Sequence, residues 1–273
     1  MSEVELEADG VREPVEETAA RRDPQVRRIT RQDVADAFAE GIRDFQAQPL
    51  IGLFFGAIYA LGGLAMVMAA ASWGMLYLVY PLAAGFALIG PFVATGLYEV
   101  SRLRERGERV SPAAVLGVVF AQSRRELGWM AFVCVFVFIL WMYQIRLLIA
   151  LFFGFQSFAL DDFLTALVTT PEGLLFLAIG NGVGAVLSLV LFSLTVVSFP
   201  LLLDRDVDFI TAMITSVRSV VTNPGPMVGW AAVVVILLAF AALPAFLGLI
   251  VVLPILGHTT WHLYRRLVEP LPA

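Results

Sequence analysis

The chain has 273 residues, is 59% hydrophobic and 15% charged, and carries a formal net charge of −5. Its mean hydropathy is +0.85. A soluble globular chain is nearer ~45–50% apolar and ~25% charged, so the composition excludes an ordinary soluble fold. No alternation of apolar and polar residues marks barrel strands, and lipid satisfies no open backbone. The expectation is an all-α membrane protein built from apolar runs of about 20 residues.

Residues 1–32 begin acidic and turn basic, with almost no apolar content, and read as a disordered tail rather than a signal peptide. From Asp33 to Gln48, Val34, Ala37, Phe38, Ile42 and Phe45 fall on one helical face. Asp33 is the expected N-cap, and the helix is expected to lie in the membrane interface. The first span runs from about Pro49 to Ala71, with Gly52, Gly56 and Ala60 as a small-residue packing face. After a turn at Ser72-Trp73-Gly74, the second span runs from Leu76 to Tyr98, with Pro81 and Pro91 inside it.

Residues 99–126 are basic, and Ser111-Pro112 is a helix start. The third span follows from Leu127 to about Leu148, with the single Cys134 as a small packing residue. Gln156–Glu172 reads as an outer loop. The fourth apolar run, Leu174–Leu203, exceeds one bilayer and should break at Pro200. A third amphipathic helix begins at Asp208 and ends at Asn223-Pro224-Gly225-Pro226. The fifth span covers about Val228–Leu243, and the sixth begins at Pro244 and ends near Tyr264.

All basic residues are Arg. Arg146 apart, they lie ahead of the first span, in 99–126, in 204–226 or at the C-terminal end, which makes that side cytoplasmic and places both termini there. Trp73, Tyr77, Tyr80, Trp141 and Tyr143 would mark the outer interface; Tyr98, Trp129, Trp230, Trp261 and Tyr264 the inner one.

A shift of 175 positions aligns Asp33 with Asp208, Ala37 with Ala212, Arg43 with Arg218 and Pro49 with Pro224. A shift of 163 aligns Pro81 with Pro244, Gly85 with Gly248, Pro91 with Pro254 and Arg102 with Arg265. The reading is an internal repeat of units 33–103, 111–205 and 208–267. Each unit is a cytoplasmic amphipathic surface helix followed by a hairpin, giving six transmembrane helices as three helical hairpins. One polytopic domain then spans 33–268, with a short tail at 269–273.

With Phe199-Pro200-Leu201-Leu202-Leu203-Asp204 and the run from Pro254-Ile255-Leu256-Gly257-His258 to Arg265, this arrangement resembles a family of bacterial integral membrane proteins with a domain of unknown function. Some members carry a cytochrome c oxidase subunit label. The resemblance brings no catalytic residues with it.

His258 and His262, the only histidines, share a helix face at i, i+4, a spacing that suits a metal. Two ligands are too few for an oxidase centre, and interfacial hydrogen bonding is the favoured role. Arg146, near the outer half of a span, is a candidate by position, with Asp161, Asp162 or Glu172 as partners or snorkelling as the alternative. Asn181, between Gly180 and Gly182, suits close packing. Arg43 and Arg218 are candidates as the matched arginines of the repeat. No Asp or Glu falls deep inside a span, and no Walker A loop, HExxH helix or GxSxG elbow is present.

The function expected is therefore non-catalytic: binding or scaffolding at the bacterial inner membrane through the surface helices. Passage of a neutral or lipid-like solute, or an accessory role in a respiratory oxidase, are the alternatives. No cofactor is expected. Lipid and a membrane protein complex are the expected partners, and nucleic acid is not.

Overall fold

The computed structural model describes residues 23–75, 90–123, 126–154 and 160–270. The N-terminal tail ahead of residue 23, most of the second span with Tyr77, Tyr80, Pro81 and Gly85, the pair Arg124-Arg125, and Gln156 lie outside the described residues. Among those described, the fold is helical, with one isolated antiparallel bridge between Val26 and Val268.

Helix α1 spans Arg31–Ala47. Its cap is Thr30, not Asp33. The Thr30 hydroxyl accepts from the Asp33 amide, and Asp33 accepts from the Thr30 amide at 2.7 Å, a reciprocal capping box. The chain kinks at Gln48 (φ −132°, ψ 54°), and Pro49 opens α2, Pro49–Ser72, where a missing N–H costs nothing. Helix α3 covers Gly90–Glu105, and α4 covers Pro112–Ser123 with Ser111 accepting from the Ala114 amide. Helix α5 runs over Glu126–Phe153.

The expected outer loop contains a helix, α6, Leu160–Thr169. Its Phe163 packs edge-on against Phe153 and Phe176, burial that an extended loop would forgo. Helices α7 (Pro171–Thr195) and α8 (Ser198–Asp204) divide the long fourth run. The break falls at Val196–Val197 rather than at Pro200 itself. A proline ring clashes with the carbonyl four residues back, here that of Val196, so Pro200 ends up inside the first turn of α8.

Helix α9, Phe209–Thr222, is capped by Asp208, whose carboxylate accepts from the Thr211 amide at 2.9 Å. It ends at Asn223 (φ −126°, ψ 53°), and Pro224 opens α10, Pro224–Ala242. The expected sixth span is displaced. Residues 243–248 form turns in which Ala245 and Phe246 take positive φ. Helix α11 then covers only Leu249–Leu267, and its second half is polar. Among the described residues, four helical stretches are long and apolar enough to cross a membrane: Pro49–Ser72, Glu126–Phe153, Pro171–Asp204 and Pro224–Ala242. Helix α11 is not among them, because polar residues from His258 onward leave its apolar half too short.

The two stretches related by 175 positions share more than spacing. Gln48 and Asn223 have nearly the same kinked backbone, each followed by a helix-opening proline. The buried stripe of α1, Ala37, Gly41 and Asp44, falls in register with buried Ala212, Ser216 and Ser219 of α9.

Packing sets where these stripes point. The α1–α2 pair runs antiparallel along α11. Gly41 meets Thr259, and a side chain there would collide with the Thr259 backbone. Gly56 likewise abuts the backbone of Ile250. The small-residue face of α2 is thus a packing surface, and α1 turns its inner face to protein rather than to lipid. Helix α9 packs on α7 and α8, where Ser216 Oγ accepts the Val197 amide freed by the helix break. Helix α4 packs on α3, with Val115 buried among Leu97, Val100 and Leu103. The opening helix of each expected unit lies against the closing helix of the expected unit before it, α4 on α3 and α9 on α8, and α1 lies on α11. The closing helices α3, α8 and α11 meet at the centre, where Phe92 packs edge-on to Phe199 and Leu97 contacts Gly257.

Burial is uneven. Only 6% of the apolar window of α5 and 17% of that of α10 is covered by protein. Around the ends of α3, α8 and α11, by contrast, Phe199, Leu201, Trp230, Trp261, Leu263 and Tyr264 are all buried. The described residues are tightly packed at the Arg-rich end, and the apolar windows of α5 and α10 beneath it are mostly exposed.

Candidate functional site

The Arg-rich end is organised by Asp44. This carboxylate lies on the buried stripe of α1, a turn before the kink, and only 6% of the residue is exposed. Ser101 of α3 donates to Asp44 Oδ2 at 2.6 Å, and His262 Nε2 of α11 stands 2.8 Å from the same oxygen. Arg104 Nε of α3 donates to Oδ1 at 2.8 Å. Burial pushes the carboxyl up, but the His262 and Ser101 hydrogen bonds, the His262 charge and the Arg104 hydrogen bond outweigh it and hold Asp44 at about 2.

The two histidines do share a face, as their spacing predicts, and both approach Asp44. His258 is buried deeper, with Nδ1 2.8 Å from Ser101 Oγ. A hydroxyl has one hydrogen, which Ser101 gives to the ionised carboxylate, so the imidazole donates to Ser101. The proton then sits on Nδ1, and His258 Nε2 is a buried acceptor with no hydrogen-bond partner among the described residues. The order is unlike a Ser-His-Asp relay, in which the carboxylate holds the imidazole. Here it holds the hydroxyl.

An outer ring closes around this core. His262 Nδ1 is 3.3 Å from Glu40, and Arg266 donates to Glu40 at 2.7 Å. The Arg266 hydrogen bond holds the Glu40 carboxyl below its usual range. Glu105 accepts from Arg265 Nε at 3.0 Å and from Trp261 Nε1 at 3.1 Å. Arg265 also reaches Asp204 of α8 at 3.2 Å, and Tyr264 donates to Asp204 at 2.7 Å. Buried Glu99 pairs with Arg102 through two bonds, and Arg102 also donates to the Leu203 carbonyl.

Between α1, α3 and α11 a cleft of about 430 Å³ opens over Asp44. Glu40 and Arg43 line it from α1, Arg104 and Glu105 from α3, and His262, Arg265 and Arg266 from α11. Among the described residues no group of three or more His, Cys, Asp and Glu is placed to hold a metal ion.

Of the six sequence candidates, His258, His262 and Arg43 come together here. Arg43 is 64% exposed, and its nearest carboxylate oxygen, on Glu40, is 3.6 Å away. Arg218 is exposed on α9, away from the cleft. Arg146 is exposed on α5 and forms no ion pair among the described residues; the side chain of Asp161 lies outside them. Asn181 is exposed and donates to the Leu177 carbonyl of its own helix. Sequence reasoning missed Asp44, Ser101, Arg104 and Glu105. The available signal was the stripe Ala37, Gly41, Asp44, at helical spacing beside the larger apolar face.

Exposed apolar helices beneath a packed, charged end define an integral membrane protein. A family model described as "Predicted integral membrane protein (DUF2189)" matches residues 79–204, and it is the family of unknown function that the sequence resembles. No curated protein and no solved structure matches the chain.

Proposed function

We propose that this is a non-catalytic binding protein of the bacterial inner membrane that works at its Arg-rich, cytoplasmic end. In this reading both termini face the cytoplasm and six helical segments enter the bilayer as three hairpins, α3 and α11 contributing mainly their polar halves to the end layer. Pairing of residues 26–27 with 267–268 supports a common side for the two termini. The Arg distribution supports the cytoplasmic side.

The observation that carries the reading is the cleft over Asp44. Ionised groups are costly to bury, yet the closing helices hold Asp44, Glu99 and their arginines at the best-packed part of the molecule, around an open space. A purely structural polar layer needs no such opening. The test is gentle extraction of the protein with its lipid annulus, followed by mass spectrometry of what is retained. Binding predicts one enriched lipid, solute or partner protein, depleted when Arg43 and Arg104 are both replaced by Gln. An unselective lipid profile, unchanged by the substitutions, would contradict it.

A further inference from the structure

We propose that the cleft is an oxyanion site for a phosphate group, held by Arg104 and Arg43. The inference rests on the binding reading above and names its ligand chemistry.

Most of the hydrogen-bonding capacity left over in the cleft is on the donor side. Each carboxylate is engaged more than once: Asp44 by Ser101, His262 and Arg104, Glu40 by Arg266 and His262, Glu105 by Arg265 and Trp261. Arg265 is engaged through all three guanidinium nitrogens, and Arg266 through Nη1 alone, to Glu40 and the His262 carbonyl. Arg104 uses only its Nε, tied to the buried Asp44, and both Nη groups make no hydrogen bond among the described residues. Arg43 has no oxygen within hydrogen-bonding distance among the described residues. A cleft whose carboxylates are all paired and whose cations retain donors takes an anion.

Arg104 is also positioned for the task. Its Nε is tied to a buried carboxylate that is itself fixed from α3 and α11, which sets the plane of the guanidinium. The planar fork left free matches two oxygens of a phosphate. Four arginines against three carboxylates leave the lining net positive before His262 is counted. The volume is within the range of small-molecule sites. Asp44 lies five residues before Pro49, where the apolar run begins, so at ~1.5 Å per residue the cleft is within about 10 Å of that boundary. That depth suits a lipid phosphate and is equally open to a soluble one.

The test uses the full chain in a maltoside micelle, which brings no phosphate. Inorganic phosphate, phosphatidic acid and diacylglycerol are titrated separately against thermal unfolding. The expected result is a saturable rise in Tm with phosphatidic acid, with inorganic phosphate, or with both, and none with diacylglycerol. A response to the lipid alone makes a headgroup the source, and a response to inorganic phosphate makes it soluble. Arg104→Gln should weaken binding about tenfold or more, the loss of at least one charged hydrogen bond. Because Arg104 also braces Asp44, Arg43→Gln is the second variant; it leaves the fold intact and should weaken binding several-fold. Arg146→Gln should bind normally. No response in either phosphate arm, or an undiminished response in folded Arg43→Gln and Arg104→Gln, overturns the proposal. Retention of some other ligand on extraction would leave the binding reading standing while this one fails.

Discussion

Asp44 and Ser101 are 57 residues apart in the chain and 2.6 Å apart in the fold. Through that bond, and through His262 and Arg104 on the same carboxylate, α1 locks α3 and α11 together. Replacing Asp44 by Asn keeps the shape and removes the charge that three donors share. The expected loss is about 3 kcal/mol, the cost of breaking a buried charged network. Thermal unfolding in detergent measures it, with exposed Arg218→Gln as a control that should shift stability by less than about 0.5 kcal/mol.

The same carboxylate gives a pH signature. Asp44 sits at about 2 in the fold, against about 3.9 in an unfolded chain. Between these values the unfolded state binds more protons, so stability rises with pH. The contribution is complete above about pH 4 and is lost as pH falls through about 2. Tm measured from pH 5 downward should fall more steeply in the wild type than in Asp44→Asn. Some slope should remain in the variant, because hydrogen bonds also lower Asp33, Glu40 and Asp208.

The matched stripes of α1 and α9 make a paired prediction. Gly41→Leu would drive a side chain into the Thr259 backbone and should prevent α1 from seating. Ser216→Ala, at the equivalent position, only strands the Val197 amide and should cost about 2 kcal/mol. Yields of folded protein and Tm values for both variants check the pair.

Asn223 ties the N-terminal segment to the kink between α9 and α10. It accepts from the Ile29 amide at 2.8 Å and donates to the Arg27 carbonyl at 3.0 Å. Asn223→Ala should release residues 23–30 to proteolysis without unfolding the remainder. Limited digestion with identification of the first cut measures this.

Much of the helical frame was legible in the sequence, because caps, prolines and apolar runs are local. Asp208, Ser111, Pro49 and Pro224 all act where spacing places them. The span count was less legible. Residues 244–264 are apolar enough on average to read as a span, but turns consume the first part and the polar half from His258 is buried under α1, a tertiary fact. The site was half legible for the same reason. The histidine pair stands out by rarity and spacing. Asp44 does not, because a carboxylate on a small-residue stripe looks solvated until its partner helices are known. Arg146, by contrast, drew notice through its rarity in a span, and it faces out of the protein.

The measurement that bears most directly on Asp44 as the joint of three helices is a double-mutant cycle on thermal unfolding with Asp44→Asn and His262→Gln. Strong non-additivity is expected: once Asp44 is neutral, the second substitution should cost much less than it does alone, with a coupling of about 1–3 kcal/mol. Additive losses would contradict it, because α1 and α11 would then be held by apolar packing alone, with the carboxylate incidental.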